Sequence, residues 1–197
     1  MATTATTTTT KPSCLTNRLP DVGIYVACLA SYNDGCLHGA WLDLAHASHV
    51  EDIQEGIDWV LATSPTPGAE EYAIHDTCNL PNCVAGEWPD LYELVNYARA
   101  LRELQCADPV CYRLACDYVG QVLTADQYEE LSHGLWDSPK AFAEDWYEQT
   151  TNLSELGGLV GYIDWERVWD GEFACDGYSA NFIPNQGGYL ILGQLYR

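Results

Sequence analysis

At 197 residues with 47% hydrophobic side chains, the chain is long enough to bury a core, and it carries 29 Asp and Glu against 8 Lys and Arg. The formal charge of -21 lies far outside the magnitude of about 2 to 8 that solubility asks of a small domain. Such a field repels nucleic acid and anionic membranes, so we expect no direct nucleic-acid binding and no membrane partner. Seven Trp and thirteen Tyr exclude an acidic disordered chain, because such chains are poor in aromatic residues.

The first 20 residues differ in composition from the rest of the chain. They are polar, rich in Thr and of low complexity, and they end at Pro20. The sequence therefore predicts a disordered Thr-rich tail over residues 1–20. This opening is unlike a signal peptide, and nine Cys is an odd number, so we expect reduced thiols and a cytoplasmic location.

Residues 21–88 are predicted to form an N-terminal sheet-plus-helix domain. The segments VGIYVACLAS and CLHGAWLDL flank the turn-forming sequence YNDG, which indicates a β-hairpin. The segment EYAIHD is typical of a third strand, and the loop CNLPNCVAGEWP marks a boundary. Between them, apolar residues at helical spacing predict a helix over about 49–63: Val50, Ile53, Ile57, Val60 and Leu61.

Residues 89–134 are predicted to form a helical middle domain. Asp108 and Pro109 suit a helix start, with the cap and the first-turn proline in their favoured places. Thr124 and Gln127 have the spacing of a capping box for the next helix. The first helix of this domain carries one apolar stripe: Leu91, Leu94, Val95, Ala98, Leu101 and Leu104.

Residues 135–197 are predicted to form a C-terminal α+β domain. Ser138 and Pro139 begin a helix that continues to about residue 150. The segment YIDWERVWDG indicates a short helix that ends at Gly171, and GYSANFIP and GYLILGQLY suit a hairpin around the turn NQGG. The predicted fold class is therefore α+β, with three small domains in a row.

Acidic side chains dominate residues 117–176, where only Lys140 and Arg167 oppose them. Glu144 with Glu148 is one of several like-charge pairs at i,i+4, an arrangement that destabilises a helix slightly. A solvated surface or adaptation to high salt would also explain acidity taken alone. The candidate partner-binding carboxylates, called the acidic set below, are Asp117, Asp126, Glu129, Glu130, Asp137, Glu144, Asp145, Glu148, Asp164, Glu166, Asp170, Glu172 and Asp176.

Carboxylates on a helix can imitate a row of phosphates, because neighbours three or four residues apart have Cβ atoms about 5–6 Å apart. Duplex DNA carries one charge per roughly 1.7 Å of axis, so a surplus of 21 equals the charge on roughly 36 Å of duplex. A basic DNA-binding surface would gain affinity for such a protein through counterion release, and the complex would weaken with salt.

No residue pattern supports catalysis, so no catalytic residue, cofactor or metal is predicted. His75 and Asp76 are adjacent, yet they lack the further ligands of a metal phosphohydrolase. No Gly-rich phosphate loop or nucleophile elbow occurs. Other residues considered as metal ligands lack the spacing of zinc sites, and the Cys among them are expected to be buried thiols: His38, His46, His49, Cys78, Cys83, Cys106, Cys111 and Cys116.

The ordered segments IYVACLASYNDGCLHGAWLDL, YAIHD, DYVG and YIDWERVWDG, followed by the C-terminal hairpin, resemble the ArdA-type antirestriction proteins. The likeness covers about residues 22–196, and its most specific element is YNDG followed by LHGAWLDL. The resemblance implies a non-catalytic, elongated and curved protein of three small domains, usually a homodimer through its C-terminal domain, that imitates bent B-form DNA. It also implies that the partner is a type I restriction-modification enzyme, bound in the DNA groove of its methyltransferase and specificity subunits, and that the protein protects DNA of phages, plasmids and transposons.

Two hypotheses from other classes remain open. The first is an acidic adaptor or inhibitor of another basic DNA-binding or host-defence protein, since any basic surface is attracted by this charge. The second is a Cys/His metalloprotein or enzyme, which bound metal would indicate.

Overall fold

The computed structural model describes residues 11–105 and 108–195. Its architecture is α+β with a C-terminal β-hairpin, which confirms the predicted fold class. The helices and strands are β1 (Leu15–Thr16), β2 (Gly23–Cys28), α1 (Leu29–Asn33), β3 (Gly39–Asp43), α2 (Val50–Ala62), β4 (Tyr72–Cys78), α3 (Leu91–Glu103), α4 (Pro109–Val119), α5 (Ala125–Leu131), β5 (Ser132–Trp136), α6 (Pro139–Thr150), α7 (Trp165–Val168), β6 (Ser179–Ile183) and β7 (Gly188–Leu192).

The chain divides into two compact units. The first unit extends up to Pro109 and includes Val119–Val122, and the second contains Val110–Tyr118 and the chain from Leu123 onward. The predicted middle domain, residues 89–134, is shared between them, because α3 belongs to the first unit while α5 belongs to the second. The division into three domains therefore stays a prediction.

The first unit is built on a four-stranded antiparallel sheet in the order β1-β3-β2-β4. The predicted hairpin pairing is confirmed, with Ile24 opposite Leu42. The predicted helix over 49–63 is α2, and its buried Ile53, Ile57 and Val60 lie on one side of the helix. Gly56 on the same side has no room for a Cβ, which would lie 2.7 Å from Leu42 Cδ2. The missing side chain lets α2 approach the sheet closely.

Two predictions in this unit are wrong. Residues 11–20 are not a tail without structure, because Leu15 and Thr16 pair with Leu42 and Trp41 and Cys14 is buried. Residues 1–10 of the predicted tail lie outside the described residues. The end of the predicted first strand and the start of its turn instead form α1, where the buried Ser31 hydroxyl lies 2.7 Å from the Ser64 hydroxyl.

Helix α3 closes the first unit. Asp90 accepts a hydrogen bond from the Tyr92 amide at 2.8 Å and so caps the helix. Leu94 and Ala98 of the predicted apolar stripe are buried. Arg102 Nη1 donates to the carbonyls of Leu44 (3.1 Å) and Ala47 (3.0 Å), which ties the end of α3 to the turn after β3.

The second unit combines four helices with a three-stranded antiparallel sheet in the order β5-β7-β6. The predicted C-terminal hairpin is β6–β7, with Ile183 opposite Gly188. Strand β5 was not predicted, and its pairing with β7 contains a bulge at Gly134, whose φ is 80°. The helix predicted to end at Gly171 continues as a wider helical turn over Trp169–Ala174, because Trp169 and Phe173 are both buried against the core.

Phe142 is at the centre of the second unit's core. Its ring centroid lies 5.2 Å from that of Phe173 and 5.4 Å from that of Trp136. Ala143 and Ile191 complete the buried cluster. Aromatic pairs at this separation contribute beyond the area that they bury.

We expect Phe142→Ala to lower the free energy of unfolding by about 3–5 kcal/mol, because it leaves a cavity among rings that cannot collapse fully. Phe182→Ala is the matched control, since that ring is 53% exposed, and it should cost less than about 1 kcal/mol. Urea unfolding followed by tryptophan fluorescence measures both variants. Equal losses for the two would contradict this account of the core.

Candidate partner-binding surface

All members of the acidic set lie in the second unit. Ten of its thirteen residues are exposed, and Asp117, Glu144 and Asp145 are half-buried. Every one of them therefore reaches solvent, as the high cost of burying an unpaired carboxylate requires. The exposure of these residues could be predicted from their residue type alone, because carboxylates are rarely buried without a partner.

Helix α5 presents Asp126, Glu129 and Glu130. Its start is fixed by the predicted capping box, in which Thr124 Oγ1 accepts from the Gln127 amide at 3.2 Å and Gln127 Oε1 accepts from the Thr124 amide at 2.9 Å. Leu131 is fully buried, so the side of the helix away from these carboxylates faces the interior. The three carboxylates are thus held at positions i, i+3 and i+4 of an anchored helix.

Helix α6 presents Glu144, Asp145 and Glu148. Ser138 Oγ accepts from the Ala141 amide at 3.1 Å and caps the helix as predicted. The buried Phe142 sets the rotation of the helix, so Glu144 and Glu148 follow one another along its side. The two carboxylates therefore still repel each other in the folded protein.

Helix α7 and the wider turn after it present Glu166, Asp170 and Glu172. Three aromatic side chains spaced by four residues are buried on one side of this segment: Trp165, Trp169 and Phe173. Asp164 Oδ1 accepts from the Arg167 amide at 3.2 Å and caps the helix. The acidic residues consequently lie on the side away from the core.

Three members of the acidic set have a partner within the chain. Asp117 pairs with Arg113 at 2.9 Å, Asp145 accepts from Gln149 Nε2 at 2.6 Å, and Asp164 forms the cap described above. The side-chain carboxylates of the other ten have no hydrogen-bond or ion-pair partner among residues 11–105 and 108–195. They remain available to an outside cation.

The first unit is as acidic as the second. Up to Pro109 and in 119–122 the sequence has 15 Asp and Glu against 4 Lys and Arg, while the rest of the chain has 14 against 4. The acidic set, chosen within 117–176, omitted the carboxylates of the first unit, although the pair Glu51 and Glu55 on α2 has the same i,i+4 spacing. Counting acids over the whole chain would have found them.

The residues considered for chemistry do not assemble into a metal site within the part of the chain that the structure describes. Among the residues that the structure describes, no group of three or more His, Cys, Asp and Glu could hold a metal ion. Cys111 and Cys116 are buried as expected, but Cys83 is exposed and Cys78 half-buried, so the expectation of burial is wrong for those two. Cys106 lies outside the described residues. Within 11–105 and 108–195, no helix is long and apolar enough to cross a bilayer.

The fold and this surface define a class of protein: a folded α+β polyanion in which most carboxylates of the acidic set are exposed and have no partner among the described residues. The family model "Antirestriction protein (ArdA)" matches residues 24–189. The chain therefore belongs to the ArdA antirestriction protein family, which confirms the resemblance found in the sequence. No curated protein matches the chain.

We expect Glu148→Lys to stabilise the second unit by about 0.5–1 kcal/mol, because it replaces a like-charge pair with a Glu-to-Lys pair at i,i+4. Glu148→Gln removes the repulsion without adding attraction and should give about half of that gain. The free energy of unfolding in urea at low ionic strength measures both. High salt should shrink the differences, and a loss of stability in either variant would show that Glu148 is not repelled by Glu144.

Proposed function

We propose that this protein is a non-catalytic antirestriction protein that imitates B-form DNA. It would occupy the DNA-binding groove of a type I restriction-modification enzyme, formed by the methyltransferase and specificity subunits, in the cytoplasm of the bacterial host. The DNA of the incoming mobile element, a phage or plasmid, would thereby escape cleavage. Family membership supports the antirestriction part of this proposal.

Nine carboxylates of the acidic set are both exposed and without a partner among the described residues, and these nine carry the proposal of mimicry. A groove that binds duplex DNA presents Lys and Arg to phosphates, and a carboxylate on a capped helix offers the same charge in a fixed position. Paired carboxylates would have to lose their own partners first. Binding of this kind requires no bound metal, cofactor or direct contact with nucleic acid.

The competing explanations make different demands on the surface. Adaptation to high salt needs acidity but no rigid placement, whereas Thr124, Ser138 and Asp164 fix the helices that carry these carboxylates. An acidic adaptor for another basic defence protein uses the same surface, and only its partner differs. Affinity purification from a restriction-proficient host followed by mass spectrometry separates these cases, since an adaptor would recover basic proteins that do not bind DNA.

We expect the protein to displace a DNA duplex from a type I restriction-modification enzyme, and the apparent affinity to fall steeply between 50 and 200 mM salt. Neutralising three charges in Glu144→Gln, Asp145→Asn and Glu148→Gln together should weaken competition modestly, because the interaction is spread over many charges. Fluorescence anisotropy of labelled duplex measures the displacement.

Undiminished DNA binding at stoichiometric excess would exclude this enzyme as the partner. The matched control is the same triple substitution at Glu51, Glu55 and Asp58 on α2 of the first unit, which tests whether the acidic set dominates. A complete loss of competition from one carboxylate substitution, with folding intact, would contradict the distributed model.

We also propose that the protein is a homodimer through the second unit. Support comes from the segment Leu153–Tyr162, which exposes three large apolar side chains: Leu156, Leu159 and Tyr162. This segment adjoins an apolar cleft of about 400 Å³ that Ile163 and Trp165 help to line. Exposed apolar residues grouped in this way mark contact surfaces.

We expect light scattering to give twice the mass of the 21.9 kDa chain, and Leu159→Glu with Tyr162→Glu to give the single mass. These two positions are exposed, so the substitutions should leave the folding of the unit unchanged. A wild-type protein that stays at the single mass at micromolar concentration would overturn this proposal and leave mimicry untouched.

A further inference from the structure

An open cleft of about 570 Å³ lies in the first unit, between α1, β4 and the segment that precedes α3. Its lining residues include Tyr32, His75, Glu87 and Trp88. None of these residues belongs to the acidic set, and none supports the α+β core, since all four are exposed.

The aromatic rings of this cleft are exposed and yet fixed in place. Trp88 is 66% exposed, and its Nε1 donates to the Tyr72 carbonyl at 3.1 Å. The Tyr32 ring, 51% exposed, meets His75 edge-on with centroids 4.8 Å apart. Exposed rings that are held in a fixed orientation can offer their faces to a ligand.

The backbone also fixes Glu87. Its carbonyl accepts from the Ile74 amide at 3.0 Å, so the segment pairs beside β4, the edge strand of the sheet. Glu87 and Trp88 are therefore anchored to the same strand by two bonds, one from the backbone and one from the indole.

The chemistry of the cleft suits a planar cation. The faces of Trp and Tyr rings attract cations, and a carboxylate beside them adds a full negative charge. Guanidinium is weakly hydrated, stacks on aromatic rings and binds carboxylates through its fork of N–H donors, whereas ammonium is a strongly hydrated point charge. An anionic ligand is excluded by Glu87 and by the charge of -21.

We propose that the cleft between Tyr32 and Trp88 binds an arginine side chain of the partner's phosphate-binding surface. The partner rests on the proposed function, but the binding of arginine does not. The cleft gives the protein one fixed point of recognition in addition to its distributed charge.

The first test uses the full chain labelled with ¹⁵N and N-acetyl-arginine amide as the probe. The indole resonance of Trp88, identified by its loss in Trp88→Phe, should shift and saturate. N-acetyl-citrulline amide, which has nearly the same shape without the charge, should shift it at least about fivefold less at matched ionic strength. An absent shift, or an equal response to citrulline, would overturn the proposal.

The second test measures binding to a type I restriction-modification enzyme. Trp88→Ala should weaken affinity by about 2- to 5-fold and leave the slope of log affinity against log salt unchanged, because it removes no charge. Glu87→Gln should lower both the affinity and the slope. The control is Tyr92→Ala, since Tyr92 is 70% exposed on α3 and does not line the cleft.

The outcomes separate the two proposals. Wild-type affinity in Trp88→Ala, with inhibition of the enzyme intact, would overturn the cleft and leave the function standing. Saturable arginine binding at Trp88 without inhibition would overturn the function and leave the cleft standing. Trp88→Phe keeps an aromatic ring face but lacks the indole N–H. If thermal unfolding shows that Trp88→Ala does not fold, the binding affinity of Trp88→Phe is measured in its place.

Discussion

Repulsion between carboxylates is the constraint on which the rest of this structure depends. With 29 acidic and 8 basic residues, the chain must be held compact by apolar burial, because ion pairs can neutralise only a minority of the acids. In the second unit, aromatic side chains supply much of this buried apolar surface. The ring centroid of Phe142 lies 6.0 Å from that of Trp169 and 5.2 Å from that of Phe173. Each buried aromatic side chain removes about 150–250 Å² of its surface from water. A few such residues are therefore enough to form the core, and acidic residues can occupy the remaining positions.

Short helices with like charges also need defined ends. Helices α5 and α6 have 7 and 12 residues, lengths that are marginal in isolation, and the repulsion between Glu144 and Glu148 weakens α6 further. The side chains of Thr124 and Ser138 accept hydrogen bonds from backbone amides that would otherwise be unsatisfied. The apolar residues on the buried side of each helix supply the remaining stabilisation. Placement of the carboxylates is thus a consequence of capping and packing, since attraction between them is absent.

Features that depend on neighbours in sequence could be predicted, and those that depend on distant partners could not. The caps at Thr124 and Ser138 and the β6–β7 hairpin need only local signals, and exposure of the acidic set follows from the cost of burying charge. Strand β1 is different, because Leu15 becomes a strand residue only through Leu42 on β3. Its sequence neighbourhood, rich in Thr and ending at Pro20, indicates no such partner.

The Tyr32–Trp88 cleft was hidden from sequence for the same reason: its walls come from three segments that meet only at β4. This position bears on specificity. The affinity gained from counterion release depends on the number of charges and little on their arrangement. A surface that carries only carboxylates therefore attracts every basic surface. Phosphate contacts set the register of a protein on DNA only when their geometry is fixed, and under the proposed function this protein faces the same requirement. The proposed arginine site in the Tyr32–Trp88 cleft would meet this requirement, because stacking of a planar cation depends on distance and orientation, whereas long-range attraction between charges depends on them little.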